Sequence, residues 1–425
     1  MVIIPRRKVE LSMCEIFIAL KNLLSQRYPQ ESLIATFEKR FARLIGVKYA
    51  IAMPTARIGL AVFLDTVELE KGDEVIMSSY NYHVVAALFK YKRLKPIFVD
   101  IDAKTWNMDP DLIEAKITPR TKMVLATHLY GRICDMDRLT FLCQKHNILL
   151  IEDAAHACGT EYKNRRAGSF GDLACFSFGT GKALVTLEGA ILATNNERIA
   201  SNLRSRLEAD NVAKKRVILQ KLMKPLIETI STKRVIFPFF VYPILYLMNC
   251  LGSKFIEEFT EDKYVLEEGR VTRGSLAFTR FQAALGIEQL KRLEDLNNKR
   301  IFWGMALNRL LSGIEQIQLP LINGGKEHIN LYYGIVTQEA QALRKYLLSR
   351  GVDTKMGSMR ACSALDFLGS EDLCPIAERI SPNVIELPCY PSLTLKEVYY
   401  LANLIRRFYQ KERLEPCEDR DDVRS

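Results

Sequence analysis

The sequence predicts an α/β domain with a mainly parallel sheet, followed by a smaller C-terminal α+β domain. Three observations carry this. Over the first 200 residues, short apolar runs alternate with segments of helical periodicity, the pattern of successive βα units. Each apolar run ends in a polar or small residue, as strands do where an open sheet meets a ligand crevice. Hydrophobic residues make up 48% of the 425-residue chain, enough for a sizeable core and more than one domain.

Residues 32–45, SLIATFEKRFARLI, place apolar side chains at helical spacing, with Glu38 and Lys39 assigned to the outer face. VKYAIAM at 47–53 reads as a short buried strand, and PTARIGLAVFLDTV as a helix opened by Pro54-Thr55. EVIMS, PIFVDID, MVLATHLYG and ILLIED read as four further strands. From residue 277, AFTRFQAALGIEQLKRLEDLNNKRIFWGMALNRLL combines helical periodicity with strong helix formers and predicts one long helix. The segments QIQLP, YYGIVT, ALRKYLLSRGV and VIELPCYPSLTLKEVYYLANLIRRFY then fit a compact α+β unit. The expected division is an N-terminal segment at 1–30, a large domain at 31–210, an insertion at 211–270, a small domain with its leading helix at 271–415, and a polar tail at 416–425.

The insertion breaks the rhythm. NVAKKRVILQKLMKPLIETISTKR is basic and amphipathic, and it runs into VIFPFFVYPILYLMNCL at 235–251, interrupted by Pro238 and Pro243. A membrane-spanning helix takes about 20 apolar residues, so a plain span is not expected. Two readings remain open. One is a buried or dimer-covering element. The other is a surface-seated or re-entrant membrane anchor, flanked by Lys214, Lys215, Arg216, Lys221, Lys224, Lys233 and Arg234.

Net charge is +10, from 60 basic and 50 acidic residues, but no long Lys/Arg run interleaves with aromatics, so nucleic acid is not an expected partner. The ten cysteines are scattered, with no CxxC pair and no His cluster at metal-ligand spacing, so neither a disulfide framework nor a metal is expected. A reducing cytoplasm is the simple inference. MVIIPRRKVELSM has no extended apolar core after its charges, so a secretory signal is not expected.

Chemistry concentrates in two stretches, ILLIEDAAHACGT and CFSFGTGKALVTLEG. A lysine beyond a glycine turn is usually a solvated charge. Here Cys175–Phe178 is a short apolar strand, and Gly179-Thr180-Gly181 permits a turn sharp enough to aim Lys182 back across the strand ends. A partly desolvated amine beside other cations is a nucleophile toward carbonyls. Ser177 offers a hydroxyl to a nearby phosphate. Asp153, after Ile148–Ile151, is either a helix cap or the partner of a cation such as a protonated pyridine nitrogen, which makes such a ring an electron sink. His156 would lie near the same ring, or be a satisfied histidine at a helix start. Thr55 and Ala56 stand where a strand gives way to a helix, an anion-binding junction. Tyr82, in SSYNYH, is placed to stack on a flat cofactor or simply to pack.

The run IEDAAHACGTEYKNRRAGSFGDLACFSFGTGK, followed by TLEGAILATNN, resembles the DegT/DnrJ/StrS-type aminotransferases. So do GVKYAIAMPTARIGLA, PIFVDIDAKTWNMDPDLIEAKITPRTKMVLATHLYGRICDMDRL, FQAALGIEQLKRLEDLNNKR and LPCYPSLTLKEV. The likeness covers nearly the whole chain except the insertion and both ends. It implies the aspartate aminotransferase fold (fold type I) and pyridoxal 5'-phosphate as cofactor. Residue by residue, it implies that Lys182 carries the cofactor covalently and that Asp153 holds its pyridine nitrogen. His156 falls beside the ring hydroxyl, Tyr82 stacks on the ring, and Thr55, Ala56 and Ser177 match phosphate-binding positions. Glu188 matches the acid of the family's Gly-Glu-Gly-Gly stretch. Because that stretch reads Leu187-Glu188-Gly189-Ala190 here, its backbone is expected to run differently past the lysine. Ser275 and Ala277 replace the Asn and Arg of the family's Asn-Tyr-Arg, with Arg273 and Arg280 as neighbouring cations. The resemblance implies amino transfer, with glutamate as donor, to a keto sugar on a nucleotide, in a homodimer. Family dehydratases carry His where Lys182 stands, which favours transamination. Two alternatives accompany this: a membrane-associated enzyme acting on a lipid-linked acceptor, and a cofactor-bound regulatory or scaffold protein without turnover.

Overall fold

The computed structural model describes residues 2–24, 30–209, 226–251 and 278–412. Ten strands form between residues 49 and 194. They are β1 (Tyr49–Met53), β2 (Glu74–Ser78), β3 (Tyr80–Asn81), β4 (Lys95–Val99), β5 (Thr121–Thr127), β6 (Leu149–Asp153), β7 (Glu161–Tyr162), β8 (Arg165–Arg166), β9 (Leu173–Ser177) and β10 (Ala190–Thr194). Seven of them make one sheet in the order β1-β10-β9-β6-β5-β2-β4. Only β10 runs against its neighbours, β9 and β1; the other pairs are parallel. The sheet is covered on both faces, which is why its strands read as continuous apolar runs rather than alternating ones.

One face packs Phe37 and Phe41 from helix Gln30–Ile45 edge-on against Phe176 and Phe178. Glu38 departs from the sequence reading. It is buried rather than outward, because its carboxylate accepts the Ala52 N–H at 2.8 Å and pairs with Arg204 at 3.0 Å, whereas Lys39 is exposed. The opposite face packs Phe63, Met77, Phe98 and Ile151. Helix Ala56–Leu64 begins at the predicted junction, where Thr55 accepts the Ile58 N–H at 3.2 Å.

The 32-residue helix Arg280–Leu311 opens on a capping box between Thr279 and Gln282. It leads to β11 (Tyr333–Val336), β12 (Lys355–Met356), β13 (Arg360–Ala361) and β14 (Val384–Leu387). β11, β14 and β12 form a small sheet, while β13 pairs with β3 and so fixes the small sheet's neighbourhood against the large one.

Among the described residues no helix is long and apolar enough to cross a membrane. Residues 237–241 form one wide helical turn and Tyr242–Leu251 a regular helix. Pro238 and Pro243 fall in the opening turns of these two pieces, where a missing N–H costs little. Phe237, Tyr242 and Leu245 pack on Leu348 and Ile3, and the Tyr242 hydroxyl donates to the Leu348 carbonyl at 2.9 Å. Lys214, Lys215, Arg216, Lys221 and Lys224 lie outside the described residues, as does the tail at 416–425. Cys14, Cys134, Cys143, Cys158, Cys175, Cys362, Cys374 and Cys389 are free thiols.

Candidate active site

The site begins at the ends of two neighbouring strands. Asp153 closes β6 opposite Cys175 of β9, and Ser177 closes β9. Beyond it the chain turns through Gly179-Thr180-Gly181, and the Lys182 N–H donates to the Gly179 carbonyl at 3.0 Å. Tyr332 pins this turn: its hydroxyl donates to the Gly181 carbonyl at 3.0 Å. Successive strand residues point to opposite faces, so the two acids at the end of β6 part company. Glu152 turns into the core. Its Oε1 accepts N–H groups of Phe170 and Gly171 at 2.7 Å each, and its Oε2 accepts the Gly168 N–H at 2.7 Å. His128 Nε2 lies 3.0 Å from Oε2, while His128 Nδ1 accepts from the Cys134 N–H. Asp153 instead faces a cavity, with Oδ1 accepting the Ala155 N–H at 3.1 Å.

That cavity, of about 1580 Å³, is walled by eight of the residues the sequence singled out: Thr55, Ala56, Tyr82, Asp153, His156, Ser177, Lys182 and Glu188. Burial lowers the Lys182 amine to about 8; Arg7 and Lys355 push it the same way, while Asp153 and Glu386 oppose. Burial raises the Asp153 carboxyl against the counter-pull of the Ala155 N–H and Lys182. His156 is driven well below its usual range by burial and then by Lys182, so it is a neutral imidazole. Its ring stands perpendicular to Tyr332 at 5.1 Å, and its buried Nδ1 has no hydrogen-bond partner among the described residues.

Sequence reasoning missed what covers the lysine. Arg7 forms an ion pair with Glu228, and Glu228 Oε2 accepts the Thr180 hydroxyl at 2.7 Å. The N-terminal segment and the insertion therefore meet over the Gly-Thr-Gly turn. The only advance signal was the cationic run Arg6-Arg7-Lys8, whose destination no local pattern encodes. In cofactor-free protein the Lys182 amine should react with small carbonyl reagents at a rate that rises through pH about 8, because only the unprotonated amine is nucleophilic. Glu228→Gln leaves the charge of Arg7 unbalanced, so the midpoint should move lower. A midpoint near 10.5 would mean the amine is not desolvated.

Two residues in the stretch after the lysine hold a left-handed or similarly positive φ, only one of them a glycine. Leu187 has φ of +73° and Gly189 +115°. At Gly189 a Cβ would sit 2.5 Å from the Phe278 ring, so that glycine is required. Leu187 accepts a left-handed conformation that costs about 1–2 kcal/mol. Its side chain is buried with Val9, Val185, Phe281 and Leu285, worth roughly 2–5 kcal/mol. Packing outweighs strain, and Leu187→Gly should destabilise the protein by about 2 kcal/mol in chemical denaturation. The Glu188 carbonyl accepts from Gln282 Nε2 at 2.7 Å. Arg273, Ser275 and Ala277 lie outside the described residues. Arg280 is not among the residues that wall the cavity; its buried Nε and Nη2 have no hydrogen-bond partner among the described residues.

The chain matches the family model of the DegT/DnrJ/EryC1/StrS aminotransferases over residues 15–221 and 252–406. It belongs to that family. It is 43% identical over 171 residues to the GDP-perosamine synthase of Caulobacter vibrioides, a match covering 40% of this chain and 46% of that protein, less than half its length. A GDP-perosamine synthase of Escherichia coli O157:H7 is 26% identical over 381 residues, covering 88% of this chain and 90% of that protein. The structure of NtdA from Bacillus subtilis with bound pyridoxamine phosphate superposes with a TM-score of 0.71 at 22% identity, over 94% of this chain and 83% of that one. The shared architecture is the aspartate aminotransferase fold of type I pyridoxal-phosphate enzymes.

Enzymes of this family depend on pyridoxal phosphate. The residues present fit that group. A desolvated amine, a buried carboxylate, an unpartnered imidazole nitrogen and a helix start share one cavity. These match, in turn, an aldehyde, a ring nitrogen, a ring hydroxyl and a phosphate.

Proposed function

We propose that this aminotransferase moves an amino group from glutamate to the carbonyl carbon of a keto sugar, most readily one linked to a nucleotide. The observation that carries the reading is Lys182, an amine lowered to about 8 in a cavity it shares with Asp153. Bound pyridoxal phosphate supplies an aldehyde that accepts nitrogen and a ring that withdraws electrons from the donor's α-carbon. Lys182 would anchor the cofactor through its amine and, once freed by the donor's amine, would carry the proton lost from the donor's α-carbon to the cofactor's carbonyl-derived carbon. Such positioned proton transfer contributes about 10²–10⁴-fold. Asp153 would keep the ring nitrogen protonated, and His156 would offer its Nδ1 to the ring hydroxyl. Tyr82 would pack on the ring. Ser177, Thr55 and Ala56 would hold the phosphate.

Named relatives act on sugars joined to nucleotides, as GDP-perosamine synthase does by its name, and this supports the acceptor class. Purified protein loaded with cofactor should show a visible band that glutamate bleaches and a nucleotide-linked ketone restores. A band indifferent to every amine donor would favour a scaffold instead. A lipid-linked acceptor is a second reading, favoured by the apolar Phe237, Val241 and Leu245 on the cavity wall. We further infer a homodimer, a cytoplasmic setting in keeping with the free cysteines, and division of the chain into the five segments read from sequence.

A further inference from the structure

We propose that the outer face of residues 235–247 seats the protein on an anionic membrane surface. Val235, Phe239, Phe240, Ile244 and Leu247 are 59–74% exposed, and no charged residue falls between Val235 and Leu251. Together they present roughly 600 Å² of apolar surface, at the top of the range for the largest patch on a monomer. The segment is not loose. Its other side, Phe237, Tyr242 and Leu245, is packed on Leu348 and Ile3, so the exposed side chains are held outward by a fixed backbone. A two-piece helix lying flat with one face in the protein and the other apolar is suited to the headgroup boundary, not to spanning.

Charge selects the occupant. In sequence, residues 211–251 carry seven basic side chains and one acid, Glu228, which pairs with Arg7 and accepts from Thr180; five of the seven lie outside the described residues, and of the two described, Arg234 pairs with Glu397 at 2.8 Å. A polybasic sequence that runs on in the chain into an apolar segment is attracted to anionic lipid by about 1 kcal/mol per cation near the surface. A two-fold contact between copies would bring the same excess of positive charge to both sides. It would also bury only about 1,200 Å² in total, the low end for a stable pair. Orientation follows from position: Phe237, Val241 and Leu245 of the same segment, with Ile227 just before it, line the cavity that holds Lys182. Seating this face thus places the cavity next to the bilayer, and a membrane-presented acceptor would enter beside it. That last step rests on the aminotransferase reading; the seating itself does not.

The test is co-sedimentation of the full chain with vesicles of phosphatidylglycerol and phosphatidylcholine against phosphatidylcholine alone. At least tenfold more protein should pellet with the anionic vesicles, and raised salt should weaken this. The double variant Phe239→Ser/Phe240→Ser should stay in the supernatant with unchanged oligomeric state and an unchanged cofactor band. Leu247→Ser serves the same purpose if the double variant does not fold. The proposal is overturned if the wild type ignores both vesicles or if a folded variant pellets as before. It is equally overturned if the substitution separates copies of the chain while neither protein binds lipid. None of these readouts depends on turnover, so failure here leaves the amino-transfer reading intact, and loss of the visible band alone would strike only the latter.

Discussion

Lys182→Ala is expected to lower amino transfer by at least about 10⁴-fold while leaving the fold intact. The lysine has two proposed tasks, anchoring the cofactor and shuttling a proton, and alanine can do neither. The cavity wall holds two other amines, Lys8, which donates to the Ser392 hydroxyl at 2.9 Å, and Lys355, and neither stands on the turn that follows β9. Lys355 and Arg7 act on Lys182 electrostatically, but Lys355 comes from the small sheet and Arg7 is engaged with Glu228. Removing a desolvated amine relieves rather than creates a burial penalty, so stability should hold or improve slightly. The measurement is the rate of the glutamate half-reaction, read with a denaturation curve on the same preparation. Retained activity within tenfold of wild type would remove Lys182 from the mechanism.

Glu152→Ala should be the most damaging single change to stability, at roughly 3–5 kcal/mol. The carboxylate is fully buried, and its two oxygens together receive three backbone N–H groups and face the His128 ring. Alanine would strand all of them without water. Those N–H groups belong to Gly168, Phe170 and Gly171, the loop that leads into β9 and hence to Lys182, so cofactor affinity should fall with stability. Glu152→Gln keeps the shape but turns a donor toward other donors, and it should fall between wild type and alanine. A denaturation midpoint unchanged within error in Glu152→Ala would show that this loop is held by something else.

These two acids show what the sequence made legible and what it did not. A greasy strand ending in Glu-Asp announced polar work at a strand end, and resemblance pointed to Asp153. Nothing local separated the two roles, because the period-two alternation that sends Glu152 inward and Asp153 to the cavity becomes meaningful only when the cavity's side of the sheet is known. The parallel strands were legible for the opposite reason: they are buried on both faces and read as unbroken apolar runs. The reversed direction of β10 was not, since pairing direction leaves no mark in composition.

Glu38 was misassigned because a helix wheel assumes that charge faces water. Its inward position depends on the Ala52 N–H and on Arg204, 166 residues away. Leu187 holds a backbone conformation usually left to glycine. Burial of its side chain sustains a positive φ that periodicity cannot anticipate. Arg7 and Glu228 lay beyond reach for the same reason as Arg204: each meets the site through contacts distant in sequence.

The most direct measurement is chemical capture of the anchoring lysine. Protein loaded with pyridoxal phosphate is reduced with borohydride, digested, and its peptides weighed. The pyridoxyl mass is expected on the peptide containing Lys182 alone, and Lys182→Ala should carry none. The same mass on another lysine, or undiminished labelling in the variant, would contradict the assignment on which the proposed chemistry stands.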